Sequence, residues 1–160
     1  MILSCISEIL SNFWKHATDD AQSIIMAVGK SDRIEIACVD TGNGIVSTLR
    51  NTLSTRNASN TDILAKALNK GTTSKIDSNH MGYGLWIIDE IVSKTKSRLH
   101  IYSEGCSVKN DYGVRKKGQC GYWKGTIVSL ILYLKEPVTY QDILNQEDKD
   151  ALEQIKIDFS

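Results

Sequence analysis

Between Arg33 and Gly44 the chain alternates polar and apolar residues and then breaks on Asp40-Thr41-Gly42-Asn43-Gly44. This feature limits the fold more than any other. Ile34, Ile36 and Cys38 alternate with Arg33, Glu35 and Ala37, the period-two rhythm of a strand over Arg33 to Val39. Ser23 to Val28 reads as its partner strand, with Gly29-Lys30-Ser31-Asp32 as the hairpin turn. A carboxylate delivered at a strand end and followed by two glycines lets a ligand lie on bare backbone while the carboxylate accepts a hydrogen bond. The same residues also make an ordinary strand-ending turn.

Other elements follow from periodicity. Ile2, Ile6, Ile9, Leu10 and Phe13 form an apolar stripe at spacings of three and four, so Ile2 to Trp14 predicts a helix. Val46 to Met81 is long, polar and rich in Ser, Thr and Asn, with one helix predicted at Thr61 to Asn69. A connection of that length is usually functional, often a lid. Gly84 to Lys94 predicts a second helix, with Leu85, Ile88, Ile91 and Val92 on one face. Strands are predicted at Arg98 to Ser103 and Gly125 to Leu134, with a basic, glycine-rich loop between them, as at a long hairpin tip. Pro137 ends the last strand. Tyr140, Ile143, Leu144, Ala151, Leu152 and Ile155 suggest a short helical tail, so the expected organisation is a domain over residues 1–136 and an acidic tail over 137–160.

Two further polar groups accompany Asp40-x-Gly42-x-Gly44. On the opening helix, Glu8, Asn12 and either Lys15 or His16 lie one turn apart on one face. Such a set is either a solvated face or a site with an amide oxygen for Mg²⁺, a carboxylate to orient water and a cation for phosphate. Gly82-Tyr83-Gly84-Leu85 runs straight into a helix, where free N–H groups and the positive dipole end favour phosphate. Neither glycine pair extends to G-x-G-x-x-G, because Ser47 and Ile87 occupy the third position, and no G-x-x-x-x-G-K-[ST] occurs. Rossmann and P-loop folds are therefore disfavoured, while nucleotide is not.

Taken in order, these groups resemble the boxes of the GHKL ATPases, the superfamily of histidine-kinase, Hsp90, gyrase and MutL nucleotide sites. Glu8-x-x-x-Asn12 resembles the N-box, Asp40-x-Gly42-x-Gly44 the G1 box, and Gly82-x-Gly84-Leu85 the G2 box. Gly125-Thr126 resembles the late Gly-Thr motif, and Gly71-Thr72-Thr73-Ser74-Lys75 a lid motif of sensor and anti-sigma kinases. The match covers roughly Ile6 to Leu134. It implies a two-layer α/β sandwich (the Bergerat fold): a mixed, mostly antiparallel sheet with helices on one face and an ATP lid.

The resemblance also implies roles. Asp40 would accept the adenine amino group, with Gly42 and Gly44 admitting base and sugar and Thr126 touching the adenine side. Asn12 would bind the Mg²⁺ that bridges the phosphates, and Lys15 and Lys75 would contact phosphate. Gly82, Gly84 and Leu85 would hold the triphosphate at the helix start. Glu8 would be the base, which permits hydrolysis or transfer of the γ-phosphate to a protein. An ATP-switched protein-binding module with little or no catalysis is the alternative. Seven residues precede Glu8, where the family usually has a strand and a helix. The expectation is a fragment of a longer protein or a sheet edge that another chain completes, with any phosphoacceptor supplied in trans.

Composition sets outer bounds. The 160 residues are 41% hydrophobic and 24% charged, as in a globular domain with a real core. The longest apolar runs are too short to span a membrane, and nothing reads as a secretory leader, so a cytoplasmic location is expected. Nineteen acidic and nineteen basic residues cancel, which gives no electrostatic reason to expect nucleic acid or membrane as partner. From Glu136 onward there are seven acidic and two basic residues, against twelve and seventeen before it. The tail could lie back on the body, reach for a basic partner, or simply be solvated. Cys5, Cys38, Cys106 and Cys120 lack metal-ligand spacing and are expected as reduced thiols, Cys38 within a strand.

Overall fold

The computed structural model of the chain describes residues 22–52, 58–72, 84–135, 139 and 142–143. Among them six strands form one sheet: β1 (Ser23–Gly29), β2 (Arg33–Asp40), β3 (Arg98–Ser103), β4 (Cys106–Asp111), β5 (Val114–Gln119) and β6 (Thr126–Tyr133). Their order is β1-β2-β6-β3-β4-β5. Among the described residues three helices accompany them: α1 (Ile45–Thr52), α2 (Asn60–Lys66) and α3 (Gly84–Lys94). This is the expected α/β sandwich. Every pairing among the described residues is antiparallel, in keeping with the mostly antiparallel sheet expected.

The core follows from strand alternation. Ile36 and Cys38 of β2, Val128, Leu130 and Leu132 of β6, Leu99 and Ile101 of β3, and Val108 of β4 are all buried. They meet Val46 and Leu49 of α1, Ile63 and Leu64 of α2, and Ile88, Ile91 and Val92 of α3 in one cluster. Burying each such side chain contributes about 2 kcal/mol. Cys38 is fully enclosed, and burial pushes its thiol pKa up to about 11, which leaves it a packing residue rather than a reactive one.

The helix ends carry recognisable stops. Ser59 caps α2 by accepting from Asp62 N at 3.2 Å, and Asp62 suits the positive end of the helix. Beyond α3, Lys96 takes a φ of 51° and Ser97 N donates to Val92 O at 2.8 Å, the pattern of a Schellman stop.

Two expectations are corrected. The connection between Ser103 and Gly125 is not a loop but a hairpin, β4–β5, that widens the sheet by two strands. Two-residue turns with positive φ begin and tip this hairpin: Glu104 (50°) with Gly105 (80°), and Tyr112 (58°) with Gly113 (91°). That is the hand that matches strand twist. The stretch after Gly44 also holds, among its described residues, one helix more than expected. Ile45–Thr52 is a helix, and the helix expected at Thr61 to Asn69 is Asn60–Lys66, with Ile63, Leu64, Ala67 and Leu68 in the core. Strand β2 reaches Asp40 rather than stopping at Val39, and the last strand begins at Thr126. The opening helix and most of the tail lie outside the described residues, and no helix among those described is long and apolar enough to cross a membrane.

Candidate functional site: the strand-end loop of Asp40

Asp40 ends β2 in the middle of the sheet, beside the start of β6, and is only 7% exposed. Its Oδ1 accepts from Gly42 N at 2.8 Å, so the carboxylate folds the glycine loop back on itself. Burial raises its pKa above the usual aspartate value, while backbone N–H groups of Gly42 and Thr126 pull the other way. Among the described residues no cation pairs with it. A carboxylate has about four lone-pair positions, so two backbone donors leave room for a third donor from a ligand.

Neighbouring segments hold the loop from three sides. The Trp123 indole Nε1 donates to Asp40 O at 2.7 Å. Ser103 Oγ donates to Gly125 O at 3.0 Å and accepts from Ile45 N at 3.0 Å, joining the end of β3 to the start of both β6 and α1. Thr41 N donates to Gln22 O and Gln22 N to Thr41 Oγ1, each at 3.0 Å. At Gly125 a Cβ would stand 2.5 Å from Asp40 Oδ1 and 2.8 Å from the Asp40 carbonyl carbon. The Gly-Thr motif is thus explained by contact: glycine lets β6 start against Asp40, and Thr126 supplies its second donor.

The residues expected from the sequence fall into two sets. Asp40, Gly42, Gly44 and Thr126 come together around this loop. Gly84 and Leu85 open α3, Leu85 half-buried against the core, and Lys70 lies 5.4 Å from the centre of the Trp86 ring in the first turn of that helix. Glu8, Asn12, Lys15, Lys75 and Gly82 lie outside the described residues, as does His16. Ser103, Glu104 and Trp123 were not foreseen in this neighbourhood. Only Ser103-Glu104-Gly105, a strand end running into a turn pair, hinted at the second of them.

Among the described residues no group of three His, Cys, Asp or Glu side chains could hold a metal ion. What the loop does offer fits a nucleobase: an anionic acceptor in a dry setting, flanked by glycine backbone. No curated protein matches the chain. A family model described as histidine kinase-, DNA gyrase B-, and HSP90-like ATPase matches residues 1–136. The chain therefore belongs to that family, and with it to proteins of ATP-binding, ATPase- and kinase-type function.

Proposed function

We propose that the chain binds Mg·ATP with the adenine amino group on Asp40 and the triphosphate at the start of α3. It then hydrolyses ATP or passes the γ-phosphate to a protein in trans, as a histidine- or serine-kinase-like signalling component does. The observation that carries the reading is Asp40, an aspartate that burial holds above its usual pKa and that no described cation neutralises. A buried carboxylate is costly unless donors satisfy it, and an exocyclic amine meets that need. In this reading Asn12 holds the Mg²⁺, which neutralises phosphate charge, and Lys15 and Lys75 add cationic contacts. Glu8 serves as the base for water or for an acceptor hydroxyl.

Calorimetry with Mg·ATP on the full chain and on Asp40→Asn tests it. The parent binds and the variant loses at least ~100-fold, because an amide turns a donor toward Thr126 N or toward adenine. In the parent, affinity declines as pH falls into the raised range of Asp40, since the protonated acid no longer offers the same acceptor. No binding by the parent would sink the proposal. Glu8→Gln, assayed for ATP turnover with a partner present, separates catalysis from switching. Unchanged turnover removes Glu8 as base.

A further inference from the structure

The second glycine of the Asp40–Gly44 loop has a partner that the sequence does not announce. Glu104 sits in the turn between β3 and β4 with a φ of 50°, a left-handed conformation that favours Gly, Asn and Asp rather than Glu. Its side chain explains its presence. One carboxylate oxygen accepts from Ser47 N at 2.7 Å, and the other takes the Ser47 hydroxyl, so Glu104 caps the first turn of α1 from another part of the sheet. The carboxylate lies over Gly44: a Cβ there would stand 2.6 Å from both Glu104 Cγ and Cδ, and nearer still to Oε2. Gly44 itself is absent from the glycines with positive φ, so its backbone would accept an ordinary residue. Space, not conformation, demands glycine.

The backbone of Glu104 closes the circuit. Glu104 N donates to Trp123 O at 2.7 Å, and the Trp123 indole donates to Asp40 O at 2.7 Å. Both ends of the Asp40–Ser47 segment are thus tied to two neighbouring residues, Glu104 at the α1 end and Trp123 at the Asp40 end.

We propose that Glu104 is a positioning residue that sets the geometry of the nucleotide loop through Ser47, and that its carboxylate is the reason residue 44 is glycine. The proposal deepens the reading of Asp40 as the adenine acceptor and rests on it for the ligand. Glu104 touches no ligand in this account. It acts by fixing where α1 begins and hence where the Gly42–Gly44 backbone lies.

Two measurements on the full chain test it. In the first, melting temperatures of Gly44→Ala, Glu104→Ala and the double variant are compared without ligand. Alanine at 44 displaces the Glu104 side chain and breaks the bonds to Ser47, so each single variant loses the same cap. The double variant then melts no lower than Glu104→Ala. A double variant whose loss equals the sum of the singles overturns the steric claim. In the second, Mg·ATP affinity is measured by calorimetry. Glu104→Ala binds about tenfold more weakly, the order expected when a helix cap worth ~1.4 kcal/mol is removed. Glu104→Gln keeps an acceptor for Ser47 N and a hydrogen-bonding group for its hydroxyl, and so binds within twofold of the parent. A purely electrostatic role would instead make Gln as weak as Ala.

Should Glu104→Ala not fold, Ser47→Ala carries the test with an affinity about threefold below the parent, and an unchanged affinity refutes positioning. Failure of the parent to bind Mg·ATP would refute the nucleotide reading, while the melting comparison still decides the steric claim.

Discussion

At the scale of single residues, close approach explains more than propensity does. Gly125 is the clearest case. The backbone of β6 passes so near Asp40 that any side chain at 125 meets the Asp40 carbonyl and carboxylate together. Unlike the flexible carboxylate above Gly44, a carbonyl inside a central strand cannot swing away. Gly125→Ala therefore destabilises the protein by ~3 kcal/mol, the upper range for overpacking a filled site, and weakens Mg·ATP binding with it. Urea unfolding of the two proteins checks the first effect and calorimetry the second. A loss below about 1 kcal/mol would mean that β6 shifts freely and that Asp40 is not held as described.

At the scale of elements, α3 is joined to the β4–β5 hairpin by polar groups inside the core. Asp89 and Asn110 are both fully buried. Asn110 Nδ2 donates to Asp89 Oδ1 and to Ser93 Oγ, each at 2.8 Å, and its Oδ1 accepts from Gly113 N at 2.9 Å. Arg115 supplies the countercharge to Asp89. The hairpin thus fixes the helix whose first turn belongs to the candidate phosphate end. Asn110→Ala strands the Asp89 carboxylate oxygen and the Gly113 N–H, leaves the Ser93 hydroxyl only its bond to Asp89 O, and costs ~3 kcal/mol in urea unfolding. Thr95→Ala, which removes a half-buried hydroxyl bonded within its own helix and to Ser97, serves as the comparison and costs about 1 kcal/mol. Equal losses would show that the Asn110 network carries no special weight.

At the scale of the whole molecule, carboxylates outside the site set the response to acid. Hydrogen bonds from Lys30 and Arg33 hold Glu35 below its ordinary pKa, Lys117 and Ser59 do so for Asp62, and His100 leads for Asp111. A lowered acid pKa contributes stability above the unfolded value and loses it as pH falls through the folded one. Asp40 has the opposite sign: its raised pKa makes ionisation costly, and protonation relieves that cost as pH falls. Thr139 lowers Asp142 in the same way, and with four lowered carboxylates against one raised, urea midpoints decline between pH 5 and pH 3, and less steeply in Asp62→Asn. Because these pairs are at least partly exposed, added salt flattens the decline. Exposed charge also accounts for what sequence reading missed. Strand β5 reads as a loop because nearly all its side chains are exposed and polar, Arg115 and Lys117 among them. These two side chains pair with Asp89 on α3 and Asp62 on α2.

Helix α1 was missed for a related reason, being short, β-branched and buried only at Val46 and Leu49 among its described side chains. What the sequence determined by itself was whatever repeats at short range. It yielded the alternation of β2, the strand of β6, the apolar face of α3, the acid at a strand end with its glycines, and the family to which that order belongs. Tertiary structure alone decided that Glu104 caps a helix 57 residues earlier in the chain and that Trp123 reaches back 83 residues to Asp40. Such bonds leave no local periodicity, since they join residues that share a place in the fold but no stretch of chain.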